Sequence, residues 1–232
     1  MEPEIIYDET DAQAAPSCSA NSELQVFTYF PTSIYVIERP EYIEAVKEVA
    51  LDAVAEEAKE YDELFPVVMS GQMFADPRID EFVSFVGKTA FDVLNYQGVA
   101  MENYHMFFTE MWMQEHHKHS LMEQHSHAGQ TQVVGFYFLE TPEKCSPLIL
   151  HDPRPAKVQV GLFQQNPQEI TYTSDQIVIY PKPGMLVFTN AWLPHSFGRH
   201  GTDEPIRFVH FNLGCVPRMN PNQNAPEEPQ VV

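Results

Sequence analysis

From about Tyr104 onward the chain is cut into short β-branched and aromatic runs separated by turn residues, and no other feature constrains the fold as strongly. The runs are 106–114, 131–140, 148–151, 157–163, 169–173, 176–180, 185–189 and 207–213, with Pro181-Lys182-Pro183-Gly184 as the turn between two of them. About eight such short strands after two helices predict two packed antiparallel sheets. The expected fold class is mainly β, a jelly roll with two N-terminal helices packed on one face. Such a roll has an open mouth, where small-molecule sites commonly lie.

The N-terminal part carries the helices. Residues 25–38 read as strand around Pro31. Pro40 stands at a first helical position, and Ile43, Val46, Val49, Ala50, Ala53 and Val54 recur at helical spacing behind it. A second helix opens on Asp76 as N-cap with Pro77 next, carries Ile79, Phe82, Val83, Val86, Ala90, Val93 and Leu94 as its apolar stripe, and ends near Gly98. The acidic run 56–63 reads as the solvated face of the first helix. Residues 1–24 and 216–232 are polar, weakly patterned and read as tails, leaving 25–215 as one domain.

Composition narrows the partners. With 33 acidic against 13 basic residues the formal charge is −20, which disfavours nucleic acid and anionic membrane surfaces. No secretory signal and no apolar stretch of membrane-spanning length is visible. Cys18, Cys145 and Cys215 are odd in number and far apart, so neither a disulfide framework nor a CxxC metal site is expected, and a cytoplasmic location fits best. The long flanking tails are compatible with a homodimer.

Histidines carry the chemistry. In an extended segment, His125 and His127 of the His-Ser-His triplet point to one face and can reach one metal ion. His195 follows 68 residues after His127, just past the apolar run 185–188, where a roll brings a distant strand back beside the first. Arg207 stands 12 residues further on and offers a planar, permanently charged fork for a carboxylate. A lone HxH is weak evidence, balanced by two polar residues on a solvated loop. The combination of HxH, late His and Arg is more specific, because imidazoles bind a mid-series transition metal and leave coordination positions open.

These segments, QHSHAGQTQVVGFYFLETP, LILHDPRP and PKPGMLVFTNAWLPHSFGRHGTDEPIRFVHFNL, resemble the 2-oxoglutarate/Fe(II) oxygenases of the prolyl-hydroxylase-like superfamily, in a subgroup found in marine bacteria and cyanophages. The resemblance spans roughly residues 28–213. It implies a double-stranded β-helix that uses Fe(II), 2-oxoglutarate and O2, hydroxylates a substrate it does not identify, and releases succinate and CO2. It also implies His125 and His195 as metal ligands and Arg207 as partner of the distal carboxylate of 2-oxoglutarate. His127 stands where the general pattern has Asp or Glu; either it is the third ligand or water or an anion fills that position. Val209, on the face of Arg207, lacks the hydroxyl of a second cosubstrate contact, and Tyr137 is the candidate to replace it.

The remaining histidines read more plainly. His116-His117-Lys118-His119 resembles a metal tract but is better explained as a hairpin loop, from which His119 could reach substrate. His151 reads as structural, with Asp152 and Arg154 as a turn-stabilising ion pair. His210 alternates to the face opposite Arg207 and reads as packed or solvated, and Asn212 on the same face as bonded to backbone. Trp192 could wall a pocket or pack in the core. Two rival functions share the β architecture. A cupin-like metal enzyme would place Glu where Thr131 or Gln132 stands, and leaves Arg207 unexplained. A non-catalytic β-roll interaction protein with a structural metal would need a closed coordination shell.

Overall fold

The computed structural model describes residues 29–55, 64–154 and 162–218. The chain divides into Met1–Ser33 and Ile34–Val232. The described residues of the first unit, 29–33, have no regular secondary structure. Everything below concerns the second. The proposed tail 1–24, nearly all of 216–232, and most of the expected strand 157–163 lie outside the described residues.

Both helices form where their punctuation places them. Pro40–Tyr42 makes a single tight turn, and α1 runs Ile43–Val54. Asp76 accepts a hydrogen bond from the backbone N–H of Arg78, the turn Pro77–Ile79 follows, and α2 spans Asp80–Tyr96. Gly98, at φ 90°, takes the left-handed conformation after the helix. Among the described residues, no helix is long and apolar enough to cross a membrane.

The strands are β1 Tyr35–Glu38, β2 Val67–Met69, β3 Tyr104–His116, β4 Met122–His125, β5 Thr131–Glu140, β6 Leu148–His151, β7 Gln176–Ile179, β8 Met185–Asn190, β9 His195–Phe197 and β10 Ile206–Pro217. A six-stranded sheet has the order β1-β8-β5-β10-β3-β2, and a four-stranded sheet the order β4-β9-β6-β7. Every pairing between them is antiparallel. The expected strand at 169–173 is turn and coil instead, and three short strands the residue pattern did not announce, β2, β4 and β9, are present.

Two cores follow from strand alternation. One joins the helices to the large sheet: Val46, Val49, Phe82 and Val86 meet Tyr137, Phe188, Val209, Phe211 and Leu213. The other fills the space between the sheets: Val134, Phe136, Phe138, Leu148, Leu150, Val187, Phe197, Ile206 and Phe208. The chain's polarity is compatible with both because the large sheet is buried on two faces. Gly135 is needed on β5, since a Cβ there would lie 2.2 Å from Cε2 of the Phe211 ring.

β10 sits between β5 and β3, so its alternation sorts residues between the cores. Ile206, Phe208, His210 and Asn212 enter the roll; Arg207, Val209, Phe211 and Leu213 face the helices. Arg207 donates to Glu115 on β3 and Glu140 on β5, its direct neighbours in both registers. Lys47 of α1 also reaches Glu140 at 2.5 Å. The Glu115 side chain is only 6% exposed, so the guanidinium balances a buried charge. Arg207→Ala should therefore cost about 3 kcal/mol, the low end for breaking a buried pair because Lys47 still serves Glu140. Urea unfolding midpoints measure this, and metal affinity of the folded variant should match wild type.

Candidate metal centre

The three expected histidines converge. His125 ends β4 and pairs directly with His195 at the start of β9. His127 follows two residues later, its backbone N–H held by the carbonyl of Ala191 at 2.9 Å. One ligand atom from each of His125, His127 and His195 lies within 4.8 Å of the others. Among the described residues this is the cluster of histidine, cysteine and carboxylate groups able to hold a metal ion. The site grades from open to closed: His125 is exposed, His127 half-buried, His195 buried.

The other ring nitrogens decide which tautomers are present. His125 Nδ1 lies 2.8 Å from the carbonyl of Glu123, and His195 Nδ1 lies 3.1 Å from that of Leu193. A carbonyl only accepts, so both Nδ1 atoms carry the proton and both Nε2 lone pairs are free for a metal. His195 Nε2 and His127 Nε2 are buried with no hydrogen-bond partner, the state expected of atoms that meet a cation. His127 differs from its neighbours. The nitrogen of the Asn212 amide, which donates to Glu110 Oε2 at 2.7 Å, lies 3.1 Å from His127 Nδ1. Ligation by His127 Nε2 requires the amide to turn its oxygen toward that ring.

Burial keeps two of the imidazoles, those of His195 and His127, neutral. It pushes His195 down to about 3, with His125 nearby adding to the effect, and His127 to about 4, against the opposing pull of Glu110. Neutral imidazole is the form that binds metal, so neither of these two rings has a proton to displace at neutral pH.

The structure does not bring Arg207 or Tyr137 to the triad. Arg207 is on the helix side of β10, held by two carboxylates. Tyr137 shares that side: its hydroxyl donates to the Arg39 carbonyl at 2.6 Å and its ring packs 4.8 Å from Phe82. The face was assigned from the guanidinium, whereas register places the other face inside the roll. That face brings His210 to the centre, its ring 5.1 Å from His127, 4.8 Å from Phe136 and 4.6 Å from Trp112. His210, Trp112, Asn212 and Glu110 are thus the site neighbours that sequence reasoning missed. The available signal was two polar residues, His210 and Asn212, alternating on one strand face, and Asn212 bonds side chains rather than backbone.

Other candidates settle outside the centre. Asp152 and Arg154 form the expected ion pair at 2.7 Å. His151 Nε2 meets Ser196 Oγ at 2.8 Å. Trp192 is half exposed. In the tract 116–119, His116 is the buried end of β3, bonded to Gln114 at 3.0 Å and packed on Phe197 and Phe208. Burial, with His200 and His117 close by, holds His116 at about 3. Its folded value lies below the ordinary 6.5, so its contribution to stability is complete above pH 6.5 and shrinks as pH falls toward 3. Between pH 7.5 and 5 wild type should lose about 2 kcal/mol that a His116→Asn variant does not lose. Urea midpoints of the two metal-free proteins at both pH values measure that closing gap.

Residues 110–212 match the model of a family described as "Putative 2OG-Fe(II) oxygenase". No curated protein matches the sequence. Among solved structures, a prolyl-4-hydroxylase of Pseudomonas putida aligns at TM-score 0.52 and 12% identity, over 79% of this chain and 93% of its own. A prolyl hydroxylase of Trichoplax adhaerens, in complex with a hypoxia inducible factor oxygen degradation domain peptide fragment, aligns at TM-score 0.53 and 10% identity, over 78% and 83%. The viral collagen prolyl hydroxylase of Paramecium Bursaria Chlorella virus-1, in its 2OG complex, aligns at 0.51 and 9%, over 79% and 96%. At these identities the likeness carries the fold, a double-stranded β-helix. Residues 110–212, which contain the triad, are thus similar to that oxygenase family, and the chain shares the double-stranded β-helix fold of these hydroxylases.

Proposed function

We propose that this protein hydroxylates a substrate at an iron(II) ion held by His125, His127 and His195, with 2-oxoglutarate converted to succinate and CO2. The observation that carries the reading is the convergence of three imidazoles within 4.8 Å, two of them with Nε2 atoms that are buried and unpartnered. Iron(II) and 2-oxoglutarate would supply this chemistry with O2 as the oxidant, one oxygen atom ending in the hydroxylated substrate and the other in succinate. The chain's own residues do the positioning. Glu123 and Leu193 carbonyls hold two of the ligand rings, and pairing of β4 with β9 sets the spacing between them. Phe136, packed 5.3 Å from His195, closes the inner side of the site against water. His125 opens to solvent, so substrate enters from that side.

Three imidazoles and no fourth protein ligand leave coordination positions open, unlike a closed structural zinc site, and the similarity to an iron(II) oxygenase family supports iron as the metal. Anaerobic addition of Fe(II) and 2-oxoglutarate should produce a visible charge-transfer band, and addition of O2 should yield succinate. His195→Ala should lower metal affinity at least about 100-fold, measured by competition with a chelating dye, since it removes a ligand outright. His127→Asp should keep or raise that affinity, because a carboxylate replaces a neutral donor. Metal affinity unchanged in His127→Ala would mean a two-histidine site and would defeat the three-ligand assignment.

A further inference from the structure

We infer that His210 and Trp112 form the pocket for the second carboxylate of the cosubstrate, as neutral donors rather than a cation. This rests on the reading of the triad as a 2-oxoglutarate site. His210 is 3% exposed, and its Nδ1 has no hydrogen-bond partner. Trp112 Nε1, on the facing residue of β3, is also buried without one. An indole N–H can only donate, so the group that completes it must be an acceptor. The two rings meet edge to face at 4.6 Å and belong to the same cluster as the triad, His210 lying 5.1 Å from His127 and 6.3 Å from His195. An unsatisfied indole donor and an unpartnered imidazole nitrogen, which donates in its Nδ1–H tautomer, lie one ring away from the triad and mark where an anionic group of a metal-bound molecule ends.

Charge explains why these donors are neutral. Among the described residues no Lys or Arg is buried. Arg207 is committed to Glu115 and Glu140 on the other side of the sheet. Iron(II) held by three neutral imidazoles keeps its full double positive charge, and doubly negative 2-oxoglutarate cancels it. A guanidinium beside that complex would leave an uncompensated charge in a low-dielectric interior. Glu110 reaches the cluster through Asn212, but its carboxylate is exposed and screened.

The test is equilibrium binding under anaerobic conditions. The Fe(II)-loaded protein is titrated with 2-oxoglutarate and with 2-oxovalerate, which has the same chain length but no distal carboxylate, following the charge-transfer band. Wild type should bind 2-oxoglutarate at least about tenfold more tightly, the value of one hydrogen bond to a charged group. His210→Phe and Trp112→Phe keep a ring in place but remove its N–H, and each should bring the ratio toward parity while metal affinity is retained. Arg207→Gln should leave the ratio unchanged. Equal binding of the two acids by wild type overturns the assignment, as does a preference that survives both ring variants or disappears in Arg207→Gln. If metal-loaded wild type binds neither acid, the oxygenase reading falls first, and this inference with it.

Discussion

The structure depends on the alternation of one strand. β10 is hydrogen-bonded on both edges, to β5 and β3, and buried on both faces, so each residue from Ile206 to Leu213 has one place to go. A slip of one residue would push Arg207 into the roll and expel His210 and Asn212 from the metal centre. The Glu115–Arg207–Glu140 bridge opposes that slip, since those partners sit on its own face of the neighbouring strands. An interaction remote from the triad thus holds the register that composes it, as strand pairing of His125 with His195 holds its geometry.

Much of this was legible in the residues. Helix α2 could be drawn from Asp76, Pro77 and its apolar stripe because caps and a 3.6-residue period are local properties. Long strands such as β5 were legible for the same reason. Strands β4 and β9, of four and three residues, were not: their sequences hold polar and histidine residues, and only pairing to one another makes them strands. The convergence of His125, His127 and His195 was legible through HxH spacing and the return of a later strand. The inner face of β10 was not. One face of that strand carries Arg207 and the other His210 and Asn212, and alternation separates them without saying which is inside. Glu115 and Glu140, which settle the matter, lie 92 and 67 residues from Arg207.

His127 is where sequence and structure meet most closely. A carboxylate at this position would have offered the metal a negative oxygen with no question of tautomer. An imidazole binds through Nε2 only if Nδ1 holds the proton, and Asn212 presents its nitrogen there, tied in turn to Glu110. The donor set is therefore graded, with His125 and His195 already fixed for ligation by backbone carbonyls and His127 dependent on a side-chain amide. Exchange of His for a carboxylate changes charge as well as donor type, and the surroundings have to accommodate that change.

Charge neutrality connects the two unusual features of the centre. With His127 as the proposed ligand in place of a carboxylate, the charge of the metal centre would rise by one, and a cosubstrate pocket without a cation would lower the charge of the surroundings by one. The changes compensate only together. A buried site with three imidazoles and an inward Arg would carry net positive charge once 2-oxoglutarate bound, and one with a carboxylate ligand and no cation would carry net negative charge; each is costly where little water can respond. The Arg207 carboxylate bridge on one face of β10, with His210 and Trp112 lining the other, is thus the arrangement that a triad of neutral ligands would call for.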